Sequence, residues 1–134
     1  MKKLLITFLT ACLFLFSGSL MAGSGVLKEA LVRGSPWTGT WESNRRDGGT
    51  TIEFSMDSKG HLSGNITKDT GGHSFSPVGP LRDIALEGEN RITFLSNAGS
   101  QYQLTLKGGS LSGEIDGGNW TASIVLKPGS GRIR

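Results

Sequence analysis

From Trp37 onward, apolar and polar residues alternate over short segments that glycine-rich clusters separate. In the first segment, Trp37, Gly39 and Trp41 fall on one face and the polar residues between them fall on the other. Alternation with a period of two is typical of a β-strand with one buried face. The same pattern recurs along the chain and predicts these further inward positions: Ile52, Phe54, Met56, Leu62, Gly64, Ile66, Ile84, Leu86, Ile92, Phe94, Tyr102, Leu104, Leu106, Leu111, Gly113, Ile115, Trp120, Ala122, Ile124 and Leu126.

The spacing of these segments predicts the fold class. About eight short strands follow one another with tight turns, which is typical of an antiparallel meander. One apolar face per strand implies one shared interior, and rolling the sheet into a barrel removes its unpaired edges. We therefore predict an all-β protein, a small eight-stranded antiparallel up-and-down β-barrel over residues 37–128. A two-sheet β-sandwich is the alternative.

Two features modify the regular pattern. The stretch with Phe75, Val78 and Leu81 contains two prolines, which favours an edge strand or an irregular crossing because proline lacks a backbone N–H. Elsewhere the sequences at 60–66 and 109–115 match at five of seven positions, so two similar hairpins are predicted. Each carries a glycine at an inward position, Gly64 and Gly113, where a neighbouring group can come close.

Residues 1–22 have the layout of a secretory signal peptide. Two lysines precede an apolar run and then small residues, and the run is too short and wrongly flanked for a membrane span. Cleavage is expected within residues 19–24, and the protein is expected in the periplasm or outside the cell. Cys12 lies in a sequence similar to a lipoprotein box, but the apolar run continues past it, which argues against lipid anchoring there.

The mature chain begins with a different pattern and ends in a polar tail. Over residues 23–36 apolar side chains lie at helical spacing, so this segment is either a short amphipathic helix that covers a barrel mouth or a linker. Residues 129–134 are predicted to be a disordered tail.

Removal of the leader changes the charge and the cysteine content. Without Lys2 and Lys3, twelve basic side chains face eleven acidic ones, so the formal charge falls from +3 to +1. A charge this small argues against a nucleic-acid partner. The sole cysteine also leaves with the leader, so no disulfide is expected.

The candidate ligand-binding residues are Trp37, Trp120, Tyr102 and Arg45. Both tryptophans and the tyrosine begin a strand, where a large ring could line a cavity at the rim, although the same rings could simply fill a narrow barrel. Trp41 lies deeper and is expected in the core. Arg45, in the first turn, could bind a carboxylate or phosphate, or it could be solvated.

No metal, cofactor or catalytic group is predicted. His61 and His73, with Asp57 and Asp69 nearby in sequence, match no known ligand spacing. The chain has no nucleophile elbow and no glycine-rich phosphate loop before a helix. The sequence therefore does not predict an enzyme.

Four short motifs together suggest a family: Trp37-Thr-Gly-Thr-Trp41, Gly60-His-Leu-Ser-Gly64, Leu111-Ser-Gly113 and Ile124-Val-Leu-Lys127. The chain resembles the lipocalin-like, calycin-type small β-barrels of secreted bacterial proteins over roughly residues 37–128. This resemblance implies a binding or accessory barrel that carries no catalytic group.

The expected function is a secreted or periplasmic, non-catalytic β-barrel that binds a small apolar or amphipathic ligand. The alternative is a protein-interaction barrel that acts as an accessory or inhibitor of a secreted hydrolase. An open apolar cavity would favour the first function, and a filled barrel with an exposed apolar patch would favour the second. The sequence leaves the ligand, the partner and the oligomeric state open.

Overall fold

A computed structural model describes residues 25–70 and 78–129. The predicted leader, Phe75 and residues 130–134 of the predicted tail lie outside this part of the chain. Residues 25–34 form a helix, α1. Nine strands follow: β1 Trp37–Glu42, β2 Asp47–Met56, β3 Leu62–Thr70, β4 Gly79–Pro80, β5 Arg82–Glu87, β6 Arg91–Leu95, β7 Gln101–Lys107, β8 Ser110–Asp116 and β9 Thr121–Pro128.

The strands form one antiparallel sheet in the order β4-β3-β2-β1-β9-β8-β7-β6-β5. Except for β4 and β5, strands that are consecutive in the chain are neighbours. β1 pairs with β9 along its whole length, which closes the meander on itself. The two outer strands, β4 and β5, are joined through Leu81, whose N–H donates to the carbonyl of Gly64 in β3 at 2.9 Å. The result is a nearly closed antiparallel barrel, which confirms the predicted barrel over the sandwich.

The proline-containing stretch accounts for the ninth strand. In the described part of that stretch, Gly79 and Pro80 pair with β3. Pro80 lies in the strand at the end of the sheet order, where its missing N–H costs no ladder bond. The register between β5 and β6 shifts between Arg82 and Ala85, and Asp83 adopts a left-handed conformation with a φ of 53°. β4, which pairs with β3, and β5, which pairs with β6, are therefore separated by a kink and do not form one straight strand.

The inward positions form one hydrophobic core. The Phe94 ring stacks on Tyr102 at a centroid distance of 4.8 Å and meets Phe54 edge-on at 6.4 Å. Met56 is an exception to the predicted pattern, since it is 39% exposed. It is the last residue of β2, where the strand runs out into an exposed turn.

Helix α1 packs into this core rather than acting as a detached linker. Its Leu27 and Leu31 side chains are fully buried and belong to the same cluster as the barrel residues. The Lys28 ammonium group donates to the carbonyl of Gly60 in the β2–β3 turn at 2.9 Å. The apolar spacing seen in the sequence is therefore the buried stripe of an amphipathic helix.

The C-terminus of α1 is fastened to the barrel by hydrogen bonds. The last carbonyls of a helix lack partners within the helix, and here the barrel supplies them. The Ser35 hydroxyl donates to the Leu31 carbonyl at 2.9 Å and accepts the backbone N–H of Phe54 at 2.7 Å. Further donors are the Trp37 indole to the Leu31 carbonyl at 2.8 Å and the Gly129 N–H to the Gly34 carbonyl at 3.1 Å.

These contacts place α1 at one end of the barrel. Trp37 begins β1, Gly129 follows β9 and Gly60 lies between β2 and β3, so all three mark the same end of an antiparallel barrel. We call it the helix end. The opposite end, formed by the turns at residues 43–46, 96–100 and 117–120, is called the distal mouth. Among the described residues, no helix has both the length and the apolar character required to cross a bilayer.

Candidate functional site

A β-bulge on β3 directs a carboxyl group into the barrel at the distal mouth. Ile52 pairs with Ile66, but the preceding residue of β2, Thr51, pairs with Lys68, so β3 contains one extra residue, Thr67, at this point. The extra residue reverses the alternation of side chains along the rest of β3. Asp69 then pairs with Thr50, which is inward and 2% exposed, so both side chains lie on the inner face.

Trp41 reaches toward this carboxyl group across a glycine. Trp41 of β1 pairs with Gly48 of β2, and a Cβ atom at position 48 would lie 2.8 Å from Cζ2 of the indole. The same Cβ would overlap the carbonyl oxygen of Thr70. The absence of a side chain at Gly48 therefore lets the buried indole lie across β2 toward β3.

The Asp69 carboxyl group is in an unusual electrostatic environment. Burial raises its pKa above the ordinary value, and the nearby indole N–H of Trp41 partly opposes this shift. Its Oδ1 atom is buried and has no well-formed hydrogen bond within the described residues. No cationic side chain of the described chain contributes to the pKa shift. We call this arrangement the Trp41–Asp69 pair.

Other buried polar groups near the distal mouth have structural roles. The Thr50 hydroxyl donates to the Lys68 carbonyl at 3.1 Å, which ties β2 to the bulged part of β3. Ser96 and Ser100 close the β6–β7 turn, since Ser96 N–H donates to the Ser100 carbonyl and Ser100 N–H donates to the Ser96 hydroxyl. These polar groups form hydrogen bonds that stabilise the barrel, whereas Asp69 Oδ1 forms no well-formed hydrogen bond within the described residues.

Trp120, one of the predicted site residues, lies at the distal mouth with part of its surface exposed. Its ring packs against Gly117, where a Cβ atom would overlap the indole, and it also contacts the hydrophobic core. The Gly117 N–H donates to the Trp120 carbonyl at 2.9 Å and closes the β8–β9 turn. Its role in ligand binding remains a prediction.

Trp37 and Tyr102 are enclosed by their neighbours. Trp37 is 2% exposed beneath α1, and Tyr102 is fully buried against Phe94. Trp37 and Trp120 also lie at opposite ends of the barrel, because β1 and β9 are antiparallel neighbours and begin at opposite ends. Ligand contacts by Trp37 and Tyr102 remain predictions, and they would require the covering groups to move.

Arg45 is exposed in the β1–β2 turn at the distal mouth. The turn is closed by the Ser43 N–H, which donates to the Arg46 carbonyl at 2.7 Å. A shallow groove lies beside this turn, with the acidic residues Glu42 and Asp47 in its lining. An anion that approached Arg45 from the groove would therefore meet two carboxyl groups.

The histidine and aspartate residues do not assemble a metal site in the described chain. Asp57 instead holds the β2–β3 turn: its Oδ1 accepts the N–H groups of Lys59 and His61, each at 2.9 Å, and its Oδ2 lies 3.2 Å from the His61 ring. These bonds lower the pKa of Asp57. Among residues 25–70 and 78–129, no three His, Cys, Asp or Glu side chains are grouped to hold a metal. His73 lies outside these ranges.

Comparison with protein-family models, curated proteins and solved structures finds no match to this chain. The Trp41–Asp69 pair is therefore identified from geometry alone, whereas Trp120 is also a candidate from the sequence.

Proposed function

We propose that this protein is a secreted or periplasmic, non-catalytic β-barrel module that binds a small amphipathic ligand at its distal mouth. The observation that carries the proposal is the half-buried Asp69 carboxyl group with an oxygen that lacks a well-formed hydrogen bond. A buried acceptor without a partner costs about 1–3 kcal/mol. A ligand that donates a hydrogen bond to the partly exposed carboxyl group would recover part of that free energy.

The filling of the barrel favours the mouth over the interior as the ligand position. Trp41, Phe94 and Tyr102 are fully buried inside, and a barrel of about eight strands is only just wide enough for its own side chains. The helix end is covered by α1. At the distal mouth, the exposed part of the Trp120 ring supplies apolar surface and Asp69 supplies a polar group, which together suit an amphipathic molecule.

The cellular location and the family resemblance are part of the same proposal. The leader supports secretion or a periplasmic location, because its layout is that of a signal peptide. A meander that closes on itself by pairing β1 with β9 is compatible with the lipocalin-like, calycin-type barrels that the sequence motifs resemble.

A fluorescence titration of the mature chain with 1-octanol tests the proposal. We expect saturable binding that changes the tryptophan emission, and an affinity reduced about fivefold in Trp120→Ala, since loss of one aromatic contact is worth about 1 kcal/mol. Val125→Ala, which trims an exposed side chain on the outer face of β9, is the control and should bind as the parent does. Absence of saturable binding by octanol, octylammonium and octanoate alike would contradict the proposal.

One observation favours the alternative of a protein-interaction barrel. In the described sheet β5 pairs with β6 on one side and ends the strand order on the other, so its outer edge could accept a strand from a partner. The bulge and the left-handed Asp83 interrupt this edge, and such irregularity is how proteins block strand addition. Native mass spectrometry of the protein purified from its own host distinguishes the two functions. A retained small molecule supports the binding module, and a retained protein supports the alternative.

A further inference from the structure

The chemistry of the distal mouth also indicates what kind of ligand it takes. We propose that the ligand carries a cationic nitrogen attached to an apolar group, and that Asp69 is its counter-ion. This inference rests on the proposed function and adds to it the charge of the ligand. It follows from the way the Asp69 carboxyl group is aimed, buried and left without a cation.

The backbone itself aims the carboxyl group. Without the bulge, the alternation that places Gly64 and Ile66 inward would place Lys68 inward and Asp69 outward. The extra residue inverts this, so the carboxyl group faces the interior and the Lys68 side chain is exposed. Bulges of this kind often re-aim a side chain next to a functional site. The bulge thus places the carboxyl group of Asp69 inside and the ammonium group of the adjacent Lys68 outside.

The energetics favour a cation over a neutral donor. An alcohol could donate a hydrogen bond to the carboxyl group, but it would leave the partly desolvated negative charge uncompensated. Partly buried charges in proteins are normally paired, because desolvation without a partner is costly. The indole N–H of Trp41 contributes only a neutral dipole. An ammonium group would supply both the donor and the opposite charge, in a charge-assisted hydrogen bond.

The overall charge of the protein does not favour a cationic ligand. The mature chain has a formal charge of +1, which gives long-range attraction, if any, to anions. A preference for a cationic ligand must therefore come from a local group. Among the groups described at the mouth, Asp69 supplies an inward-facing, half-buried carboxyl group whose polar neighbour is the neutral indole of Trp41.

Isothermal titration calorimetry with three probes of equal chain length tests the inference: octylammonium, 1-octanol and octanoate. We expect octylammonium to bind the mature protein about tenfold more tightly than 1-octanol, and octanoate to bind most weakly. A tenfold difference corresponds to about 1.4 kcal/mol, within the range expected for a hydrogen bond to a charged group after solvent screening.

Two single substitutions locate the effect. In Asp69→Asn, which keeps the shape and removes the charge, octylammonium affinity should fall to the level of 1-octanol, while octanol affinity stays within about twofold. Glu114→Gln removes the same charge from the exposed outer face of β8 and should change neither affinity. The comparison of the three probes on the wild-type protein needs no variant, so it remains decisive if Asp69→Asn folds poorly.

The outcomes separate this inference from the proposed function. Equal affinity for the three probes, or equal octylammonium binding by the parent and Asp69→Asn, would overturn the cationic ligand while leaving binding at the mouth intact. Failure of all three probes to bind would instead contradict the proposed function itself.

Discussion

Truncation of Leu31 to alanine tests whether α1 is an integral part of the barrel. Leu31 is 0% exposed and belongs to the single hydrophobic core. Burial of a leucine side chain is worth about 1.5–3 kcal/mol, and the cavity left by truncation adds to the loss. Backbone hydrogen bonds hold the surrounding strands in register, so the strands cannot move in to fill the cavity. We therefore expect Leu31→Ala to lower the free energy of unfolding by about 3–4 kcal/mol.

Urea denaturation of the chain expressed without residues 1–22, followed by tryptophan fluorescence and circular dichroism, measures this loss. For a domain with a stability of about 5–15 kcal/mol, the midpoint should fall clearly while both probes still report one transition. Val26→Ala is the matched control on the same helix, because Val26 is 65% exposed. Its effect should stay within about 0.5 kcal/mol.

The reasoning would be refuted if Leu31→Ala and Val26→Ala both unfolded at the urea concentration of the parent. The helix would then be a loosely attached linker, and the helix end would be open in solution. A loss in Leu31→Ala alone would show that the apolar stripe of α1 is part of the folded core.

Three further predictions follow from the barrel interior. Trp41→Ala should cost about 3–5 kcal/mol in urea denaturation because the ring is fully buried, and Trp120→Ala should cost much less; equal losses would place both rings in the core. Gly64→Val and Gly113→Val should each destabilise by about 1–3 kcal/mol, with Gly113→Val the more severe because a side chain there would overlap the backbone of β7. Unchanged melting temperatures would show that the strand register is wrong. Since burial raises the pKa of Asp69, the stability difference between the parent and Asp69→Asn should move in favour of Asn as the pH rises from about 3 to about 6. Urea denaturation across that range measures the difference, and a difference that does not change with pH would contradict the assigned burial.

The fold could be predicted from the sequence because its information is local. Each strand alternates with a period of two, and each connection is short enough to force pairing with the next strand. Met56 departs from the pattern because alternation predicts which face of a strand points inward. It does not predict where along the strand that face stops being covered by other residues.

The candidate site could be predicted only in part, because it depends on irregular pairing. Trp120 was identified from its position at the start of a strand, and it lies at the distal mouth. For Asp69 the sequence suggests only a possible metal ligand, since simple alternation from Ile66 places it on the outer face. The one available signal was that the apolar alternation of β3 stops after Ile66. Trp37 is enclosed because α1 packs over it, and the periodicity of the strands gives no information about how α1 packs.

The indole N–H signals of the three tryptophans offer the most direct test of ligand binding at the distal mouth. Trp37 lies at the helix end, hydrogen-bonded to α1, whereas Trp41 and Trp120 lie toward the distal mouth. In ¹⁵N–¹H correlation spectra recorded during an octylammonium titration, we expect the Trp41 and Trp120 indole signals to shift along one saturable curve while the Trp37 signal stays in place. A shift of the Trp37 signal, with those of Trp41 and Trp120 unmoved, would place the ligand at the helix end and contradict binding at the distal mouth.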